Sequence, residues 1–301
     1  MKNILFFGGT GKLGKYWIRN LIQNNKVFAN ENSTKLLLNH KNLQKIKLNL
    51  NHQNNITDFS KKNKVSVIIN CIALTNIELC ESNKKKAINA NYLIPSKLCK
   101  VSKRLNIPLV HISTDMLFDG KLRGKYGEKS KCKPVNIYSK TKIKAENLLL
   151  KYKKSLIIRT NFFGFGNKKN QTFSDKLILQ QKLNKKSFLW NDIFFSPMYI
   201  PNLVFFINLL IRDNARGIFN ISSDECTSKF NFGVKLIKSF VKNNKIYPNS
   251  FSTKNFVMRP KNMCLNNKKI KKKYKRYVSK LKLNYQIQSF LKDYRLINNG
   301  Y

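Results

Sequence analysis

Short apolar runs alternate along the chain with longer stretches in which apolar residues recur every three or four positions. Residues 3–7 are almost continuously apolar, the pattern of a buried strand. Residues 12–23 follow with Leu13, Trp17, Leu21 and Ile22 on one helical face. Further strand-like runs fall at 27–29, 46–48, 65–69, 109–112 and 156–158, and helical patterns at 84–105 and 137–152 separate most of them. Such alternation predicts an α/β fold, a Rossmann-type doubly wound parallel sheet covered by helices on both faces. The stretch 30–45 stays open, because Leu36 to Leu38 fits either strand or loop. Beyond Arg159 the alternation weakens. Residues 173–183 and 200–212 read as helices and 217–221 as one more strand. Ser228 suits the N-cap of a helix running to about Lys242, and a last helical pattern spans 285–296.

Composition changes this picture in two respects. Lys and Arg number 59 against 14 Asp and Glu, a formal charge of +45. Two readings compete: a surface for nucleic acid or anionic membrane, or compositional bias toward residues with A/T-rich codons, since Lys, Asn, Ile and Phe all abound. The lysines are spread along the whole chain, and the densest run, 268–276, carries only Tyr274 as an aromatic platform. That favours compositional bias, with no nucleic-acid partner, although the field still attracts anions. The second respect is redox. Six cysteines occur without a C-x-x-C pair or a nearby histidine. Free thiols in a reducing cytoplasm are expected, with no metal site and no disulfide framework. The N-terminal apolar run breaks at once into glycines, unlike a signal peptide. The longest apolar stretch, 199–211, is too short for a bilayer and contains Asn202 and Asn208, so no membrane span is expected.

Candidate chemistry begins at Gly8-Gly9-Thr10-Gly11-Lys12-Leu13-Gly14, which follows the first strand and opens the first helix. Glycines three apart suit a dinucleotide turn. One makes the tight turn, one lets a pyrophosphate reach the backbone, and one lets the helix pack on the strand. The pyrophosphate then sits on the helix N-terminus. Further on, Glu31 suits a ribose 2′-hydroxyl and Lys41 a 2′-phosphate, so NADH and NADPH both remain open. Domain organisation follows: 1–160, with 195–225 returning to it, as the NAD(P)-binding domain, and 161–194 with 226–301 as a smaller, partly interleaved substrate region.

Tyr138 and Lys142 lie four apart at the start of a helix and therefore share a face. A neighbouring ammonium favours phenolate and makes Tyr138 a better proton donor and acceptor near neutral pH. Thr114 stands just past the fifth strand, where ligands bind in such sheets, as a hydroxyl able to bond a carbonyl. His40, His52 and His111 have no sequence partner that suggests a triad or a metal, and ordinary polar placement is expected for each. Cys132, just before the Tyr–Lys helix, is a weak candidate thiol.

Ser113-Thr114-Asp115-Met116-Leu117-Phe118-Asp119-Gly120 resembles the S-T-D-x-x-F-D-G segment of the extended short-chain dehydrogenases, in particular the dTDP-4-dehydrorhamnose reductase family. Asn70-Cys71-Ile72-Ala73 resembles the turn that passes under that family's cofactor, and Arg159-Thr160-Asn161-Phe162 its run after the sixth strand. Arg259-Pro260-Lys261-Asn262 resembles its R-P-x-N segment near the C-terminus. The resemblance covers about residues 2–270. It implies reduction of a nucleotide-linked 4-keto-sugar by NADPH or NADH, in deoxysugar or surface-polysaccharide synthesis. Tyr138, Lys142, Thr114 and Asn91 would be catalytic, with Asn91 anchoring a water. Gly8, Gly11, Lys12, Leu13, Gly14, Lys41, Cys71, Ile72 and Ala73 would bind cofactor together with Tyr138 and Lys142. Thr114, Asp115, Phe162 and Arg259 would bind substrate, with Arg259 on the diphosphate. Met198 stands where the family usually has Thr, and Asn49 where an acid is common. A homodimer is open. Rival implications are a sugar-nucleotide epimerase and a catalytically silent NADP-binding regulatory subunit.

Overall fold

A computed structural model describes residues 1–32, 34–166, 171–241, 244–254 and 256–298. In chain order the first half runs β1 (Asn3–Phe7), α1 (Lys12–Leu21), β2 (Lys26–Asn30), β3 (Leu43–Ile46), α2 (Gln53–Lys62) and β4 (Val67–Asn70). Then come α3 (Ile77–Ser82), α4 (Lys84–Ile88), a π-turn (Asn89–Leu93), α5 (Ile94–Arg104), β5 (Leu109–Ile112), α6 (Ile137–Leu149) and β6 (Ser155–Arg159). The second half has β7 (Phe162–Phe163), α7 (Phe173–Lys182), β8 (Ser187–Trp190), β9 (Phe194–Phe195), β10 (Met198–Tyr199) and α8 (Ile200–Arg212). It ends with β11 (Gly217–Asn220), β12 (Thr227–Ser228), α9 (Lys229–Ile237), β13 (Ile246–Asn249), α10 (Lys268–Lys273) and α11 (Leu283–Asn298).

Two compact units result. The first comprises Met1–Thr114, Asn136–Arg159 and Asn208–Ile218. Its sheet has the order β11-β6-β5-β4-β1-β2-β3, and β1 to β6 run parallel. The chain winds outward from β1 to β3, then returns to β4 on the other side of β1. Strand order therefore reverses between β1 and β4, and in such sheets the crevice past that point takes the ligand. Leu5, Phe7, Phe28, Ile68, Leu109 and Ile157 fill one side of the sheet. Trp17 is wholly buried, edge-on to Phe6 at 5.5 Å, and its indole N–H donates to Asn208 at 2.8 Å.

The second unit comprises Asp115–Val135, Thr160–Ile207 and Phe219–Tyr301 as far as it is described. Three two-stranded pairs, β7 with β10, β8 with β13 and β9 with β12, surround an aromatic core of Phe163, Phe195, Phe232, Phe290 and Tyr199. Thr172 and Asp175 form a reciprocal capping box at the start of α7.

Several expectations change. Segment 115–135, read as part of the first domain, groups with the second unit, where Phe118 stacks on Tyr126 and Tyr126 bridges to Leu265. Of residues 195–225, read as returning to the first domain, 195–207 and 219–225 also group with the second. The third strand is 43–46 rather than 46–48, because pairing of Val27 with Leu43 sets its register on an edge where Gln44 and Lys45 face solvent. Leu36 to Leu38 is loop. Helices α2 and α3 escape a periodicity reading because they bury few apolar side chains. The helical run 84–104 is interrupted by its π-turn. Ser228 caps α9, accepting from Asn231 N at 3.0 Å, but the helix ends at Ile237; the expected end, Lys242, lies outside the described residues. Finally, Cys226 and Cys264 are disulfide-bonded with Cα atoms 5.4 Å apart, so the expectation of six free thiols fails for this pair. Spacing could not reveal it, since 38 residues separate them.

Candidate active site

The glycine turn is built for backbone proximity. Gly8 adopts φ +83°, and a Cβ there would lie 2.7 Å from the Cys71 carbonyl carbon and 2.8 Å from Ile72 N. The turn after β4 thus packs directly on the turn after β1. A Cβ on Gly14 would lie 2.2 Å from the Gly8 carbonyl oxygen, so Gly14 provides the close helix–strand approach. Gly11 differs. A Cβ there meets only Gly8 O, at 3.4 Å, and Gly11 is the N-cap of α1 without a side-chain bond. The protein itself leaves room beside Gly11, so a ligand could approach the backbone there. A dinucleotide pyrophosphate fits that cradle. Leu13 is buried and can serve only through its backbone, while Lys12 is partly exposed.

Beyond β2, the carboxylate of Glu31 accepts from Leu36 N at 2.6 Å and so closes its own loop. Lys41 is exposed. The buried Asn30 accepts from Leu48 N at 2.6 Å.

Asn136 caps α6, accepting from Ser139 N at 2.9 Å, and Glu81 accepts from Ile137 N at 2.7 Å. This sets Tyr138 and Lys142 one turn apart in the first unit, both buried. Deeper in α6, Glu146 holds Arg159 of β6 through the guanidinium Nε, at 3.1 Å to each oxygen, and through NH2, at 2.6 Å. Helix and strand are thereby pinned by a buried charge pair.

Lys142 donates to Ile112 O at 2.7 Å and lies 3.1 Å from Nε2 of His111. His111 Nδ1 in turn lies 3.1 Å from the Asn70 amide nitrogen, and the Asn70 oxygen accepts from Ile72 N at 3.0 Å. A continuous chain therefore links the turn after β4 to the lysine. Burial, and then Lys142, hold His111 well below the usual histidine range, so it is neutral. Burial pulls Lys142 down to about 8, opposed by the Glu146 carboxylate. Burial also raises the Cys71 thiol, leaving it protonated and inert. The sequence offered no partner for His111; in the structure it meets Lys142 and Asn70. Its position on β5, three residues before Thr114, was the available signal.

Asn91 is fully buried in the π-turn, a feature often found at functional sites. Its oxygen accepts from Leu74 N at 2.8 Å, and its amide donates to Leu74 O at 3.1 Å and Thr141 Oγ1 at 3.2 Å. Asn91 therefore braces the turn after β4 against α6. Thr114, buried, ends the first unit just past β5.

A family model described as RmlD substrate binding domain matches residues 1–296. The chain belongs to this family. It is 25% identical over 290 residues to the dTDP-4-dehydrorhamnose reductase of Aggregatibacter actinomycetemcomitans, covering 91% of this chain and 94% of the relative. A hypothetical dTDP-4-dehydrorhamnose reductase from Sulfolobus tokodaii superimposes with TM-score 0.79 at 27% identity, over 90% of this chain and 94% of that one. The dTDP-4-dehydrorhamnose reductase of Bacillus anthracis, solved in complex with NADP, has the same fold, with TM-score 0.79 at 23% identity over 97% and 100% of the two chains.

The remaining RmlD-family candidates lie in the second unit. Asp115 is buried and accepts from Asn161 Nδ2 at 2.8 Å. Phe162 pairs with Met198 between β7 and β10. Arg259 sits among rings, its guanidinium carbon 5.5 Å from the centre of Trp190, 5.6 Å from Phe256 and 5.9 Å from Phe251, and it donates to Val257 O at 3.0 Å. Cys132 is partly buried, and its thiol lies 4.0 Å from Ser130 O. Among the described residues, no cluster of His, Cys, Asp and Glu could hold a metal.

Proposed function

We propose that this RmlD-family protein reduces the keto carbon of a nucleotide-linked 4-keto-sugar with NADPH or NADH, as a dTDP-4-dehydrorhamnose reductase does. The reading rests above all on Tyr138 and Lys142, one turn apart on α6 in the same unit as the open Gly11 cradle. The relative crystallised with NADP supports the cofactor class. The backbone of the glycine turn, the turn 71–73 and the side chain of Lys142 would hold the dinucleotide, with Lys41 at a 2′-phosphate. When bound, the nicotinamide supplies the hydride.

Tyr138 gives its phenolic proton to the oxygen of the reacting carbonyl. Thr114 donates a hydrogen bond to that same oxygen and polarises the carbonyl. Charge developing on oxygen is stabilised by such preorganised donors far more than in water. Lys142, as the ammonium, favours the phenolate that Tyr138 becomes and orients the ribose. Asn91 acts as a positioning residue, since its amide holds the turn at Leu74 and Thr141 of α6. Asp115 and Phe162 contact the sugar, and Arg259 the diphosphate.

Purified protein with dTDP-4-keto-6-deoxy-sugar and NADPH should consume the cofactor stoichiometrically with sugar reduction. NADPH binding without turnover of any such sugar would instead support a silent regulatory subunit. Among the described residues no helix is long and apolar enough to cross a membrane. We place the protein in the cytoplasm, alongside its nucleotide substrates.

A further inference from the structure

Lys229 is the first residue of α9, placed there because Ser228 caps the helix and β12 pairs antiparallel with β9. Thr227 faces Phe195 in that pairing, and Lys229 N donates to Ile193 O at 3.0 Å. The side chain folds back, leaving its ammonium 3.3 Å from the centre of the Phe195 ring and 5.8 Å from that of Phe173. Among the described residues this ammonium makes no hydrogen bond and closes no ion pair. Half-buried against rings, the cation gains from a polar partner. Its one charge partner is Asp115, whose carboxylate already accepts from Asn161. Burial draws Lys229 down to about 8, against the pull of Asp115. Asp115 follows Thr114 directly in the chain.

We propose that Lys229 is a specificity residue for the sugar, donating to a ring hydroxyl of the substrate while Asp115 accepts from the same hydroxyl or its neighbour. The inference rests on the reductase reading above. An ammonium over aromatic rings, within the field of a carboxylate, complements a diol, which both donates and accepts. It suits a diphosphate poorly, because Asp115 repels that dianion. The site lies wholly in the second unit, formed by Asp115, Asn161, Phe195 and Lys229.

Lys229→Met keeps the length of the side chain and removes its charge. The KM for the nucleotide keto-sugar should rise roughly ten- to a hundredfold, the value of a charge-assisted hydrogen bond. The Kd for thymidine diphosphate alone and the KM for NADPH should stay within twofold, about 0.4 kcal/mol. A sugar analogue lacking the contacted hydroxyl should bind wild type and variant alike. Should Lys229→Met fold poorly, Lys229→Gln carries the same readouts. A sugar KM within about twofold of wild type overturns the inference. Parallel weakening of thymidine diphosphate overturns it too, by moving Lys229 to the phosphates. If wild type itself turns over no keto-sugar, the reductase reading falls and takes this inference with it. Failure of the inference alone leaves wild-type turnover intact.

Discussion

The ammonium of Lys142 lies 3.1 Å from Nε2 of His111, and the other ring nitrogen of His111 lies 3.1 Å from the Asn70 amide. Lys142 thus donates to the Ile112 carbonyl and packs against a neutral imidazole, deep enough for burial to bring it to about 8. Two opposite pH responses should follow. The ordinary value is 10.5, so between about 8 and 10.5 the unfolded chain holds the proton that the folded chain has lost. Through Lys142, stability therefore rises with pH across that window. Turnover should fall as pH passes about 8, because the ammonium is lost. Melting temperature and kcat measured together from pH 6 to 10 test this; a kcat that stays flat to pH 10 refutes the role of the charge.

Tyr138→Phe removes the phenolic hydroxyl, the proposed proton donor, and keeps the ring. We expect kcat to fall roughly a hundred- to ten-thousandfold, the usual weight of general acid catalysis. NADPH affinity should be retained. Turnover within a few-fold of wild type would sink the assignment.

Gly11 and Gly14 should separate binding from folding. Gly11→Val leaves the melting temperature nearly unchanged and weakens NADPH by about tenfold or more, roughly 1.4 kcal/mol. Gly14→Ala lowers the melting temperature, because its Cβ would lie 2.2 Å from Gly8 O. Fluorescence titration and thermal melts read the two effects. Unchanged NADPH affinity in Gly11→Val would leave that loop as a turn only.

Arg259 lies over three rings, and the proposed function gives its guanidinium the substrate's diphosphate. Arg259→Lys should raise the nucleotide-sugar KM about tenfold, since lysine loses the planar fork. The KM for NADPH should not move. A fall in melting temperature with both KM values unchanged would assign Arg259 to the aromatic cluster alone.

The disulfide should stabilise the oxidised protein. Closing a loop of 38 residues is worth about 4 kcal/mol by chain entropy, and native disulfides typically contribute 2–4. Cys226→Ser should therefore lower urea stability by about that much without reductant. It should have no effect once the wild type is reduced. Equal stability of the two proteins without reductant would mean that the bond does not form.

The periodicity of residues 3–7, the glycine spacing and the Tyr138–Lys142 interval were legible because each depends on chain-local geometry. Strand period, helix period and a three-residue turn are properties of neighbours in sequence. The S-T-D and R-P-x-N segments added the resemblance, and with it the family. Four things were not legible: His111 against Lys142, the pull of Asp115 on Lys229, Cys226 bonded to Cys264, and 115–135 grouping with the second unit. Each joins residues far apart in the chain, and one sequence without relatives carries no signal of such contacts. By itself the sequence determined the doubly wound sheet, the glycine turn and the shared helix of Tyr138 and Lys142. Only the tertiary structure decided which charges are buried and what each one meets, because desolvation and pairing arise from packing, not from the order of residues.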